Sequence, residues 1–155
     1  MNLFTPKRFF FVAGHSEGFS KLNSFDCALL NAKIGNMNLI KISSIIPPYC
    51  KNVKFIKIPQ GSFIPVAYAS ITSDMTGQYI SAGVAAAKPD DDSLPGVIME
   101  YSSNGRKKDI EQIVRSMAEE AMRVRGVSNY SLSSKATEHR VKRIGTAFAA
   151  VVLWE

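Results

Sequence analysis

The chain has little from which to build a disulfide framework or a metal centre. Its 155 residues include two cysteines, Cys27 and Cys50, and two histidines, His15 and His139. Two thiols are too few for the multi-bridge scaffolds of small secreted domains. The histidines lie far from each other and from both cysteines, so no metal-ligand spacing is present. A reducing, cytoplasmic setting and no metal are expected. Long hydrophobic runs are also missing. The longest, IGTAFAAVVLW at 144–154, falls well short of the roughly 20 residues of a membrane helix, and reads as a buried strand. The basic start KRFFFVAG carries too short an apolar run for a secretory segment. No membrane partner is expected.

What remains is an ordinary globular balance, with 46% hydrophobic and 21% charged residues. The length suits a single domain, 1–155, that buries about two-thirds of its unfolded surface. The net charge is +6 and the pI about 9.4. Lys and Arg are scattered, at Lys51, Lys54 and Lys57, at Arg106 to Lys108, and at Arg140, Lys142 and Arg143. A nucleic-acid binder would cluster them and interleave aromatics, so no nucleic-acid partner is expected.

Periodicity and punctuation predict two helices and seven or eight strands. Residues 8–13 read as a short strand buried on both faces, and 14–23 as a Gly/Ser-rich loop. Ser24 suits an N-cap, Asp26 a first helical turn, and Gly35 a stop, which predicts a helix over 25–34. A strand is expected at 38–43, ended by Pro47-Pro48. Residues 53–58 alternate apolar and basic. Strands follow at 63–73, 78–86 and 97–102, with a loop at 88–96. Over 106–126, Ile110, Ile113, Val114, Met117, Ala121 and Val124 form one apolar helical face, closed by Gly126. Strands at 129–138 and 144–154 end the chain. Short connections favour antiparallel pairing and an α+β layered fold.

Several residues are candidates for chemistry. Gly14 to Gly18, GHSEG, matches the G-x-S-x-G nucleophile elbow, and Ser16, Asp109 and His139 could supply a serine-hydrolase triad. No helix signal follows Ser16 at once, so a glycine-rich turn is the plainer reading. Glu100, beside Val97, Ile98 and Met99, suits either a solvent-facing strand position or a buried acid with a raised pKa, fit to donate a proton. Asp26 suits a helix dipole partner or a receiver for a guanidinium. Asn38 suits turn chemistry or a hold on a carbonyl oxygen. Ser43-Ser44 at a strand end is by itself ordinary turn chemistry.

Together, SFDCALLNAKIGNMNLIKISSIIPP, PQGSFIPVAYASITSD, GVIMEY and GTAFAAVVLW resemble the pyruvoyl-dependent arginine decarboxylase family, from about Phe10 to Trp154. The resemblance implies a four-layer αββα sandwich with mostly antiparallel sheets, and a trimer or hexamer with active sites between neighbours. It implies self-cleavage between Ser43 and Ser44 into a β chain, 1–43, and an α chain, 44–155. Asn38 would polarise the Ser43 carbonyl during that step. Ser44 would become a covalent pyruvoyl group, replacing pyridoxal phosphate, that forms a Schiff base with L-arginine on the way to agmatine and carbon dioxide. Glu100 would return the proton, and Asp26 would receive the guanidinium. Leu29, Gly35, Met37, Ile45 and the new Ser43 carboxylate would line the substrate pocket. Cys27 and Lys33 stand where the resemblance leads one to expect glycine. Lys33 would repel a cationic substrate if it pointed inward, and its expected place is the helix's outer face. The alternatives are a non-enzymatic or differently specific chain on the same fold, and the hydrolase.

Overall fold

A computed structural model describes residues 3–155. In chain order the elements are β1 (Arg8–Glu17), α1 (Lys21–Asn31), β2 (Asn38–Lys41), β3 (Ile45–Ile46), β4 (Lys51–Asn52), β5 (Phe63–Ser73), β6 (Tyr79–Pro89), β7 (Gly96–Asn104), α2 (Lys107–Val124), β8 (Tyr130–Arg140) and β9 (Gly145–Trp154). A five-stranded sheet runs β2-β5-β9-β1-β4 and a four-stranded sheet β3-β7-β6-β8. Pairing is antiparallel except at β1–β4 and β2–β5. No helix among the described residues is long and apolar enough to cross a membrane.

Alternation along the strands builds the layers. Phe9, Ile98, Val84, Val151 and Leu153 join one core between the two sheets. Their neighbours Phe10, Val152 and Phe148 point the other way and meet Ala28, Leu29 and Ile34 under α1. On the far side, Ala85 and Val97 meet Val114, Ala118 and Met122 of α2. The order α1, sheet, sheet, α2 is the expected αββα sandwich.

The structure corrects several local expectations. β1 runs on through Gly14-His15-Ser16-Glu17, so this stretch is strand rather than turn. Gly14 is there for close approach, since a Cβ would stand 2.3 Å from the Ala28 carbonyl oxygen. α1 begins at Lys21, capped by Ser20, whose hydroxyl accepts from the Asn23 amide. Ser24 is therefore no cap: it is buried, and its hydroxyl meets Thr146 Oγ1 at 2.7 Å. Asp26 falls in mid-helix, so no dipole role accounts for it.

α1 also ends before Gly35. The Lys33 amide donates to Leu30 O and the Ile34 amide to Leu29 O, with Lys33 at φ 68. This is a Schellman ending with lysine in the left-handed position. α2 ends in the same pattern, with Gly126 at φ 70 in that place. Its buried face is Ile110, Val114, Ala118, Ala121 and Met122. Ile113 and Val124 are exposed, so the true face is rotated from the expected one. Residues 53–58 form no strand; their apolar members pack as a loop under α1.

Candidate active site

The chain changes sheets at the paired serines. β2 pairs with β5 of the five-stranded sheet, whereas β3 pairs with β7 of the four-stranded one. Residues 42–44 make the crossing. Its two ends are fixed: the Ile42 amide donates to Val66 O at 3.1 Å, and the Ile98 amide donates to Ser44 O at 2.9 Å. Between these anchors Ser43 is exposed. Ser44 takes φ 122, a left-handed value that a side chain makes costly, by about 1–3 kcal/mol. Beyond β3, Tyr49 donates to Asp92 O, and the Asp92 carboxylate takes Lys51 and Lys88. The segment after the proline pair is thus pinned.

Glu100 lies in β7 two residues after Ile98. Ile98 faces the core between the sheets, so alternation turns Glu100 the same way. Its Oε1 stands 3.5 Å from Lys41 Nζ, and its Oε2 is buried with no hydrogen-bond partner. Burial pushes the Glu100 carboxyl above the ordinary carboxylate range, with Lys41 acting against it. Lys41 also stands over the Tyr68 ring, 4.7 Å from its centroid. The same ring packs at 6.4 Å from Phe25, the residue before Asp26 in α1. Lys41 and Tyr68 were not singled out by the sequence. The available signal was local, a lysine two residues before the paired serines.

The remaining candidates lie elsewhere. Asn38 opens β2 and is hydrogen-bonded through Nδ2 to Gly61 O at 3.0 Å. Ser43 lies five positions further along the chain, past the end of β2. Asp26 is exposed, with no ion pair among the described residues. Leu29 is buried under α1, and Ile45 is exposed at the crossing. Gly35 and Met37 line a hollow of about 240 Å³ with Leu30, Phe55, Lys33 and Lys57. Lys33 is therefore not on the outer face of α1; it stands past the helix end, at that hollow.

The hydrolase constellation is not assembled. Ser16 Oγ donates to Glu17 O. His139 is engaged by Glu17 Oε2 at 2.5 Å and by His15 Nδ1 at 2.8 Å, not by Ser16. Glu17 also accepts from the amides of Lys142, Arg143 and Ile144. Burial alone would raise the Glu17 carboxyl, but the Arg143 amide, the His139 ring and the Lys142 amide outweigh it and hold it at about 2. This is a structural clamp at the end of β1. No group of three or more potential metal ligands gathers among the described residues.

A strained serine at a sheet crossing, and a half-buried, half-paired glutamate on the strand that holds its carbonyl, are what the geometry offers. The family model described as pyruvoyl-dependent arginine decarboxylase matches residues 8–155. The chain belongs to the pyruvoyl-dependent arginine decarboxylase family. Among curated relatives of that name, the one from Methanocaldococcus jannaschii is 49% identical, covering 96% of this chain and 90% of its own. One from Methanococcus maripaludis is 46% identical, with 96% and 91% covered. One from Thermococcus kodakarensis is 41% identical, with 99% and 98% covered.

Family membership implies a covalent pyruvoyl group in place of pyridoxal phosphate. The residues present fit it. Such a group is a ketone left where a serine headed a new chain, and Ser44 sits on a strained, accessible crossing. Its own carbonyl is fixed by Ile98, and an unpartnered carboxyl oxygen lies in the strand that fixes it.

Proposed function

We propose that the chain is a self-processing decarboxylase converting L-arginine to agmatine and carbon dioxide. The observation that carries this reading is Ser44 itself, a non-glycine residue at φ 122 whose carbonyl is held by the Ile98 amide. The Ser44 hydroxyl attacks the Ser43 carbonyl carbon, and the peptide becomes an ester. Loss of the Ser44 α-proton expels the Ser43 carboxylate and leaves an alkene, which water converts to the ketone with release of ammonia. Anchors on both sides, at the Ile42 amide and the Ser44 carbonyl, hold the crossing while Ser44 keeps its costly φ. The products are the chains 1–43 and 44–155.

The pyruvoyl ketone supplies the electron sink for loss of carbon dioxide. The chain's residues do the rest. Glu100, whose carboxyl burial pushes above the ordinary range, returns a proton to the substrate α-carbon. Asp26, free of ion pairs among the described residues, receives the guanidinium. Leu29, Gly35, Met37, Ile45 and the Ser43 carboxylate shape the pocket.

The working unit in this reading is a trimer of cleaved protomers, or a pair of trimers, with sites between neighbours. One feature supports it. Ile40, Ile45 and Phe63 are exposed apolar residues near the same edge of the two sheets. Free Cys27 and Cys50 suit a reducing cytoplasm.

The test is borohydride reduction with labelled arginine beside an assay of carbon dioxide release. Label fixed on the 44–155 chain, with release from arginine above other amino acids, is the expected result. No label and no release would leave a non-enzymatic chain on the same fold.

A further inference from the structure

Glu100 has two oxygens in unlike settings. Oε1 is 3.5 Å from Lys41 Nζ; Oε2 is buried and has no partner. The Lys41 ammonium is itself placed by the Tyr68 ring, 4.7 Å below it. The elements packed against β7 add no charge beside Glu100; Lys135 of β8 shares that sheet face but is exposed and lies beyond β6, opposite Val84. β6 sets Val84 opposite Glu100, and its Lys88 is taken by Asp92. β3 contributes Ile45 and Ile46, and β5 contributes Tyr68 and Ser70. β9 carries no charged residue. α2, with Glu111 and Arg115, packs on the opposite face through Met99 and Tyr101.

We propose that Lys41 is a positioning residue for Glu100, anchoring Oε1 so that Oε2 is the oxygen that carries and delivers the proton. This rests on the decarboxylase reading above. On delivery the Oε2–H bond breaks, a C–H bond forms on the substrate, and Glu100 is left as a carboxylate. Lys41 stands ready to balance that new negative charge, and solvent restores the proton once product leaves. A lone buried carboxylic acid would be slow to give up its proton, because burial disfavours the anion. A tightly bidentate partner would occupy both oxygens and leave none for the substrate. One ammonium, at 3.5 Å from one oxygen, avoids both extremes.

The first measurement is a carboxyl-carbon NMR titration of Glu100 in the uncut S44A chain. Against that parent, Lys41→Gln should move the Glu100 midpoint upward, because a cation that favours the anion has gone. Lys41→Arg should bring it back. Lys41→Met, which keeps the apolar stem over Tyr68, serves as a second charge-free variant should glutamine disturb the strand. In the cleavable chain, Lys41→Gln should lower kcat roughly 10- to 100-fold with little change in KM. The alkaline limb of kcat should move up in pH, since Glu100 then stays protonated longer. An unmoved midpoint in both charge-free variants, or an arginine variant that fails to restore it, would overturn the proposal. Failure of the decarboxylase reading looks different: wild type stays uncut, while the titration on S44A still judges Lys41 alone.

Discussion

The amide of Ile98 donates to the carbonyl of Ser44 at 2.9 Å. That single bond fixes the acyl side of Ser44 to β7 and leaves its amide side, the peptide to Ser43, in the unpaired crossing. Ser44→Ala removes the attacking hydroxyl and nothing else. The expected outcome on a denaturing gel is one uncut band, a normal fold by circular dichroism, and no carbon dioxide release.

Glu100→Gln keeps the size of the side chain and removes the acid. Cleavage should proceed, since the proton donor of the decarboxylation is a separate group from the Ser44 nucleophile. Decarboxylation should fall by about 10²–10⁴-fold in kcat, with KM little altered. Steady-state kinetics on the purified, cut chain checks this. A full kcat would remove Glu100 from the mechanism.

Lys33→Gly should improve two properties together. Lys33 sits at φ 68 in a helix ending where α2 uses Gly126 at φ 70. Glycine there relieves about 1 kcal/mol of left-handed strain, so Tm should rise by a few degrees. It also removes a cation from the hollow that Gly35 and Met37 line, so KM for arginine should drop. A lower Tm would contradict the strain argument, and an unchanged KM would take Lys33 out of the substrate's reach.

The clamp at the end of β1 governs acid stability. Glu17 is held at about 2 in the fold against an ordinary value of 4.5. A depressed carboxyl adds stability above the unfolded value, and that stability is lost as pH falls from about 4.5 towards 2. Burial, then the neighbouring His139, lowers the pKa of His15, so charging it costs stability as pH falls below 6.5. Denaturant unfolding from pH 8 to 3 should show both losses, and Glu17→Gln should remove the lower one. Gly145→Ala should destabilise the same corner at every pH, because its Cβ would stand 2.5 Å from Glu17 Oε2 and 2.4 Å from the His139 ring.

The proposed division of each site between neighbouring protomers has a direct consequence. Co-expression of Asp26→Asn with Glu100→Gln should recover part of the activity that each lacks alone, because mixed assemblies contain some sites with both native groups. Recovery absent from assemblies shown to be mixed would place both residues in one protomer's site.

Much of this was legible in residue order. Alternating apolar residues placed the long strands, and the 106–126 periodicity placed α2. Errors arose where two residues of one type compete for a role. Ser20 and Ser24 both suit a cap, and only the packing of Ser24 on Thr146 decides between them. Gly14 and Gly18 read as turn glycines because sequence does not reveal a helix crossing the strand. Glu100 was visible as a candidate, but the inequality of its two oxygens depends on Lys41, 59 positions earlier by number and brought near by the packing of one sheet on the other. Such a contact leaves no local pattern.

Self-processing, as proposed, breaks the bond between Ser43 and Ser44. Intact mass of the purified chain under denaturing conditions tests it most directly. Two species are expected, 1–43 ending in a free carboxylate and 44–155 lighter by one ammonia than a chain headed by serine. A single species with the full mass of 155 residues, under conditions where the protein is folded, would contradict it.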